Sequence, residues 1–328
     1  MKIAISASIA TDHLMRFPGR FRDSFVEGAM DNITLSFLVD ELEVRRGGVG
    51  GNITFGMGVL GVRPVLVGAA GVDFDDYRSW LERHGVDCSG VLISELRHTA
   101  RFICTTDEDQ NQLASFYAGA MAEARDIELR PVSERIGGLD LVLVGPNDPE
   151  AMLRHTDECR YRGIPFAADP SQQLARMEGD DIRLLVDGAL FLFTNEYEAS
   201  LIEQKTGWSA DDLLDRVQVR ITTLGARGSR IESRHFPPLH VPVAREERIV
   251  DPTGVGDAFR AGFLCGYAWG LPLERAAQVG SMLATYALEA VGPQEYEVSQ
   301  RRFLERMADA YGVEAAEEIL PHLRCIRP

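Results

Sequence analysis

Short apolar runs alternate along this chain with amphipathic stretches of helical period. Residues 2–8, 65–68, 139–144, 166–168, 190–194 and 218–224 are mainly apolar runs of strand length. Between them, residues 52–60, 77–84, 150–162 and 196–206 have helical spacing, and 299–323 reads as two amphipathic helices. Apolar strands separated by helices predict a parallel sheet covered on both faces. Two stretches break the rhythm. Residues 21–46 and 100–116 alternate apolar and polar positions, as in Arg101-Phe102-Ile103-Cys104-Thr105, the mark of half-buried strands. They predict one small sheet, inserted discontinuously over about 14–46 and 97–118, that lies over the ligand site as a lid. The whole chain, 1–328, then forms one α/β unit with that insert.

Composition narrows the function classes. A chain of 328 residues buries a large core without staples. Its 34 basic and 50 acidic residues leave a formal charge of −16, which argues against nucleic-acid or membrane-surface binding. A small anion held by backbone amides stays compatible with that charge. The five cysteines are scattered, with no C-x-x-C pair, which predicts a reducing cytoplasm rather than a disulfide scaffold or zinc site. The chain opens directly on an apolar strand, without a signal peptide or a run of membrane-spanning length.

One glycine pattern is a decoy. Gly56-Met57-Gly58-Val59-Leu60-Gly61 fits the dinucleotide fingerprint, but here the helix precedes the glycines and the strand follows them. Tight helix packing explains these glycines better.

The chemistry concentrates elsewhere. In Asp251-Pro252-Thr253-Gly254-Val255-Gly256-Asp257, two glycines precede a carboxylate and a small-residue apolar helix, 258–268. Glycines let the amides at 254–257 converge, and the helix dipole favours an anion there. Asp257 at the rim could take a proton from an attacking hydroxyl. A glycine turn with a capping Asp is the other reading of this run. Upstream, Gly47-Gly48-Val49-Gly50-Gly51-Asn52 opens a helix, and Asn52 offers a donor and an acceptor to a polyol; a turn with Asn as cap explains it equally. Asp12, just past the first strand, stands where open α/β sheets bind ligands.

Taken together these segments resemble the ribokinase-like, or phosphofructokinase-B, family of carbohydrate and nucleoside kinases, over essentially the whole chain. The resemblance implies a three-layer α/β/α sandwich with a small β-sheet lid. It implies that Asp257 is the catalytic base and that the amides of Gly254, Val255 and Gly256 form an anion hole. Pro252 and Val255 depart from the commoner D-T-x-G-A-G-D, but neither removes an amide from that hole. Asn195-Glu196-Tyr197-Glu198 matches the family's N-x-x-E motif, which implies a magnesium role for Glu198, through water. Thr223, Leu224, Gly225, Ala226, Arg227 and Gly228 resemble the strand and turn that hold ATP, with Asn195 and Gly256 beside it.

Within the family the likeness extends to bacterial adenosine kinases, through 8–14, 35–38 and 168–176. It implies that Asp12, Gly48 and Asn52 hold the ribose, with Ser8 and Ser36 nearby. Phe102 and Phe116 would stack on the purine, and Gln172, Gln173 and Arg176 would line the rest of the pocket. The expected reaction is transfer of the γ-phosphoryl group of ATP to the 5′-hydroxyl of adenosine, a step of purine salvage. Another nucleoside or a free sugar is the alternative within the fold, and a non-catalytic nucleotide sensor the alternative outside it. A monovalent-cation requirement stays open. Lid pairing in the resembled group, with Phe21, Phe25, Leu35, Phe37 and Leu38 crowded in the insert, predicts a homodimer.

Overall fold

The protein is described here by a computed structural model covering residues 1–24, 36–323 and 326. Among the described residues the strands are, in chain order, β1 (Ile3–Ser6), β2 (Ala10–Arg16), β3 (Glu41–Gly47), β4 (Val65–Ala70), β5 (Asp87–Ile93), β6 (Ala100–Thr106) and β7 (Gln112–Tyr117). They continue with β8 (Leu141–Val144), β9 (Phe166–Ala168), β10 (Phe191–Asn195), β11 (Val219–Thr223), β12 (Ser229–Glu232) and β13 (Leu239–Val241). Nine form one sheet in the order β13-β12-β11-β10-β9-β8-β1-β4-β5. Every pairing from β11 to β5 is parallel, and only the β11–β12 and β12–β13 pairings at the edge are antiparallel.

Alternation within the central strands divides their side chains between two cores. Ile3, Ile5, Leu66, Leu141 and Leu143 enter one apolar cluster, while Ala4, Val65, Val67, Val142 and Val144 enter the other. Both faces are therefore dry and helix-covered, which explains why these strands read as unbroken apolar runs. This is the expected three-layer sandwich. On one face, the helix Val255–Ala268 packs against Val49–Val59 and Leu273–Leu288. Glycines make the close approach possible: a Cβ on Gly56 would sit 2.7 Å from that of Ala261, and one on Gly262 would sit 2.6 Å from the Val279 carbonyl oxygen. The decoy fingerprint is thus helix packing.

The remaining strands form a separate four-stranded sheet, β3-β2-β6-β7. The expected lid exists, but it starts earlier than 14. The chain leaves β1 at Ser6 and enters the lid at Ala10, so Asp12 lies within a lid strand rather than in a loop beyond β1. Phe21 begins a short helix, Phe21–Ser24, and packs with Phe17 and Phe37, so two of the expected crowded aromatics cover each other. Phe25 and Leu35 lie outside the described residues. Cys88, Cys104, Cys159 and Cys265 are free and buried, and Cys325 is outside the described residues. Among the described residues no helix is long and apolar enough to cross a membrane.

Candidate active site

The carboxyl ends of the parallel strands and the underside of the lid meet where the two signature segments come together. Gly254 has a left-handed backbone, φ 75°, and is the N-cap of the helix Val255–Ala268. A Cβ there would lie 2.4 Å from that of Pro293, so the turn needs glycine twice over. Asp251 shapes the approach: Oδ1 accepts from the Thr253 amide at 2.9 Å and Oδ2 from the Gly292 amide at 3.0 Å. Amides of a first helical turn lack intrahelical acceptors, so those following Gly254 are positioned for an anion.

Asp257 stands in that turn, with Oδ2 accepting from Asn52 Nδ2 at 2.8 Å. Burial pushes its carboxyl above the ordinary range, while Arg260 and the Asn52 hydrogen bond oppose the rise. Arg260 escaped the sequence analysis. It is buried, with Nη2 donating to Asp169 Oδ1 at 2.7 Å, Nε 2.6 Å from Asp169 Oδ2, and Nη1 donating to the Gly256 carbonyl at 3.1 Å. Glu198 lies 4.0 Å from the same guanidinium. One cation therefore balances three acids, and a charge inside the apolar run 258–268 was the available signal.

Glu198 completes a capping box: Asn195 Oδ1 accepts from the Glu198 amide at 2.8 Å, and Glu198 Oε2 accepts from the Asn195 amide at 2.7 Å. The motif therefore caps the helix, and Glu198 Oε2 is already held by the Asn195 amide. Among the described residues no three His, Cys, Asp or Glu side chains gather into a metal cage.

A cleft of about 330 Å³ opens beside β11. Thr223, Gly225, Ala226, Gly228 and Gly256, all expected on the ATP side, are among its lining residues. Its apolar walls, among them Val243, Ile249, Phe259 and Leu288, were not foreseen, since they come from three separated segments. Arg227 turns outward to pair with Glu196, and Leu224 closes the turn by donating its amide to the Gly228 carbonyl at 2.7 Å.

On the lid side, Arg45, Asp12, Phe102 and Phe116 are consecutive partners across the four strands and share one face. The two phenylalanines are 36% and 46% exposed, unlike core aromatics. Burial raises the Asp12 carboxyl to about 6, with Arg45 opposing. Gly48 has φ 84°, and a Cβ on it would lie 2.6 Å from the Ala10 nitrogen, which lets the glycine-rich segment pass against the lid entrance.

Three of the other expected ribose and base ligands, Ser8, Asn52 and Gln173, are already engaged. Ser8 Oγ accepts from the Val49 amide at 3.1 Å and caps that helix from a neighbouring segment, which accounts for a helix start earlier than 52. Asn52 spends its amide on Asp257 and its carbonyl on Gln294. Gln173 is buried and donates to the Asn147 carbonyl at 2.7 Å, while Gln172 and Arg176 are exposed and Ser36 lies exposed before β3.

The fold agrees with three comparisons. The profile of the pfkB family carbohydrate kinases matches residues 11–300. A nucleoside kinase of Methanocaldococcus jannaschii is 30% identical over 263 residues, 80% of this chain and 85% of that protein. A cytidine kinase of Thermococcus kodakarensis is 28% identical over 284 residues, 82% of this chain and 97% of its own. The structure of Burkholderia thailandensis nucleoside kinase in complex with inosine superposes with a TM-score of 0.82 at 33% identity, covering 94% of this chain and 99% of that one. Fold and site together define a small-molecule kinase architecture of ribokinase type. The chain belongs to the pfkB family of carbohydrate kinases.

Proposed function

We propose that this protein transfers the γ-phosphoryl group of ATP to the 5′-hydroxyl of a nucleoside, with adenosine as its principal acceptor. The observation that carries this reading is the lid row: a carboxylate, Asp12, in register with two half-exposed rings, Phe102 and Phe116. A carboxylate can hold two ribose hydroxyls, and aromatic faces suit a flat base, whereas a free sugar needs no rings. Relatives called nucleoside kinase, and a similar structure holding inosine, support the nucleoside class.

In this reading ATP lies in the cleft beside Thr223–Gly228 with its γ-phosphate at the amides of 254–257. Asp257 accepts the hydroxyl proton as that oxygen attacks phosphorus in line, while the amides offset the transferring charge. The products are the nucleoside 5′-monophosphate and ADP. Magnesium would supply charge neutralisation on the phosphates. Glu198 fits an ion carried by the nucleotide and reached through water, since its Oε2 is already held by the Asn195 amide. Glu198→Gln is accordingly expected to raise the magnesium concentration for half-maximal rate with nucleoside affinity nearly intact; an overlaid titration would remove Glu198 from the site.

The testing experiment is ATP-dependent phosphorylation of adenosine, inosine, guanosine, cytidine, ribose and fructose, by wild type and Phe116→Ala. Adenosine should lead for the wild type. The substitution should weaken nucleoside binding by about 1–3 kcal/mol, with kcat falling less than kcat/KM. Turnover of a free sugar with none of any nucleoside would overturn the class, and a different leading nucleoside would overturn adenosine alone. The outer lid face, opposite Asp12, exposes Leu42, Val44 and Leu113. That apolar surface supports a homodimer through the lid, which a monomeric mass at micromolar concentration would refute.

A further inference from the structure

A chain of buried side-chain hydrogen bonds runs from the glycine-rich segment to the base. Tyr77 OH donates to the Gly47 carbonyl at 2.8 Å, which fixes its only proton. Its oxygen therefore accepts, and Gln294 Nε2 donates to it at 2.5 Å. The other Nε2 hydrogen goes to Asn52 Oδ1 at 2.9 Å, and Asn52 Nδ2 donates to Asp257 Oδ2 at 2.8 Å. The donors diverge from the Gln294 amide nitrogen, whose two hydrogens go one towards Tyr77 and Gly47 and one towards Asn52 and Asp257. Reversing the Asn52 amide would set its carbonyl oxygen against an ionised carboxylate. All three intermediaries are buried: Tyr77 is 4%, Asn52 7% and Gln294 1% exposed.

Two further observations tie the chain to the reaction. A Cβ on Gly51 would fall 1.9 Å from Tyr77 OH, so that glycine leaves room for the relay rather than for a ligand. The segment carrying Gln294 also holds the anion turn, because the Gly292 amide donates to Asp251 and Pro293 packs on Gly254. One short segment thus touches the phosphate turn and the base together.

We propose that Gln294 is a positioning residue for phosphoryl transfer: anchored by Tyr77, its amide turns Asn52 so that an N–H faces Asp257 and leaves the second carboxylate oxygen to the acceptor hydroxyl. This rests on the reading of Asp257 as the base. The other charged or titratable groups facing Asp257 are Arg260 on its own helix, Glu198, Asp169 and Tyr296, and all are left unchanged by a substitution at 294.

The experiment uses the full chain and whichever of adenosine, inosine, guanosine and cytidine the wild type turns over fastest. Gln294→Met should lower kcat about tenfold, keep nucleoside KM within about twofold, and move the acid limb of the kcat–pH profile upward as the Asn52 donor is released. Gln294→Glu should move the limb further, because a carboxylate there accepts from Asn52 and turns its carbonyl toward Asp257. Tyr77→Phe should shift the limb the same way by less, and it carries the test if the Gln294 variants do not fold. A folded Gln294→Met, or Tyr77→Phe, with a lowered melting temperature but a wild-type acid limb would mean a merely structural role and overturn the proposal. If Asp257→Asn kept full activity, the base assignment would fall and this inference with it. An inactive Asp257→Asn beside an unshifted Gln294→Met would sink this inference alone.

Discussion

Asp257→Asn is expected to lose about a hundred- to ten-thousand-fold in kcat while keeping its fold and nucleoside affinity. The side chains are nearly isosteric, so packing survives. The Asn52 Nδ2 donor at 2.8 Å demands an acceptor, so the new amide must turn its oxygen toward Asn52. Its nitrogen then faces the acceptor hydroxyl as a donor, and no proton acceptor is left. Stability should move the other way. Burial raises the Asp257 carboxyl, and a group whose folded pKa is raised loses stability as pH climbs through that value. A neutral amide removes this cost, so the variant should melt at or above the wild-type temperature at pH 8. The raised value also sets the acid limb of wild-type turnover above the ordinary carboxylate range, since only the ionised form accepts a proton. Steady-state kinetics with a melting curve on one preparation tests both halves. Near-normal kcat in the folded variant would end the assignment of Asp257 as base.

How far the site was legible depended on whether its parts are neighbours in sequence. The helix Glu196–Thr206 has the bounds its pattern predicted, because Asn195 and Glu198 form a local capping box. The glycine turn before the helix was equally legible, since Gly254 and Asp257 lie in one segment. The lid pairs were half legible. Alternation marked 100–116 as strands, but only the parallel register of β6 on β2 sets Phe102 beside Asp12. Ser8 illustrates the opposite case. The family resemblance offered Ser8 as a neighbour of the ribose, yet its hydroxyl oxygen accepts from an amide 41 residues away. Gln294 and Asn52 are 242 residues apart, and nothing local distinguishes that glutamine from a surface one. Polar partners at such separations obey no period, whereas apolar faces do.

Arg260→Met is expected to cost about 3–5 kcal/mol of stability, the price of breaking a buried ion pair by removing one partner. Asp169 is fully buried, and its two oxygens lie 2.6 and 2.7 Å from Arg260 nitrogens. Without the guanidinium, that carboxyl keeps its desolvation and loses its compensation, beside Glu198 and Asp257. The loss should depend on pH in a set direction. Burial already raises the Asp169 carboxyl to about 6 with Arg260 present. A raised folded value contributes stability below the unfolded pKa and loses it as pH rises through the folded one. Removing Arg260 raises that value further, so variant and wild type should draw together below pH 6 and diverge above it. The double variant Arg260→Met/Asp169→Asn, with no charge left to bury at either position, should recover much of the deficit. Turnover should stay low even where stability recovers, because Arg260 also opposes the upward shift of Asp257 and accounts for the Gly256 carbonyl contact at 3.1 Å. Denaturant unfolding of the single and double variants at pH 5.5 and 8 separates the two roles. Equal losses at both pH values, with no recovery in the double variant, would show that Arg260 contributes packing rather than charge.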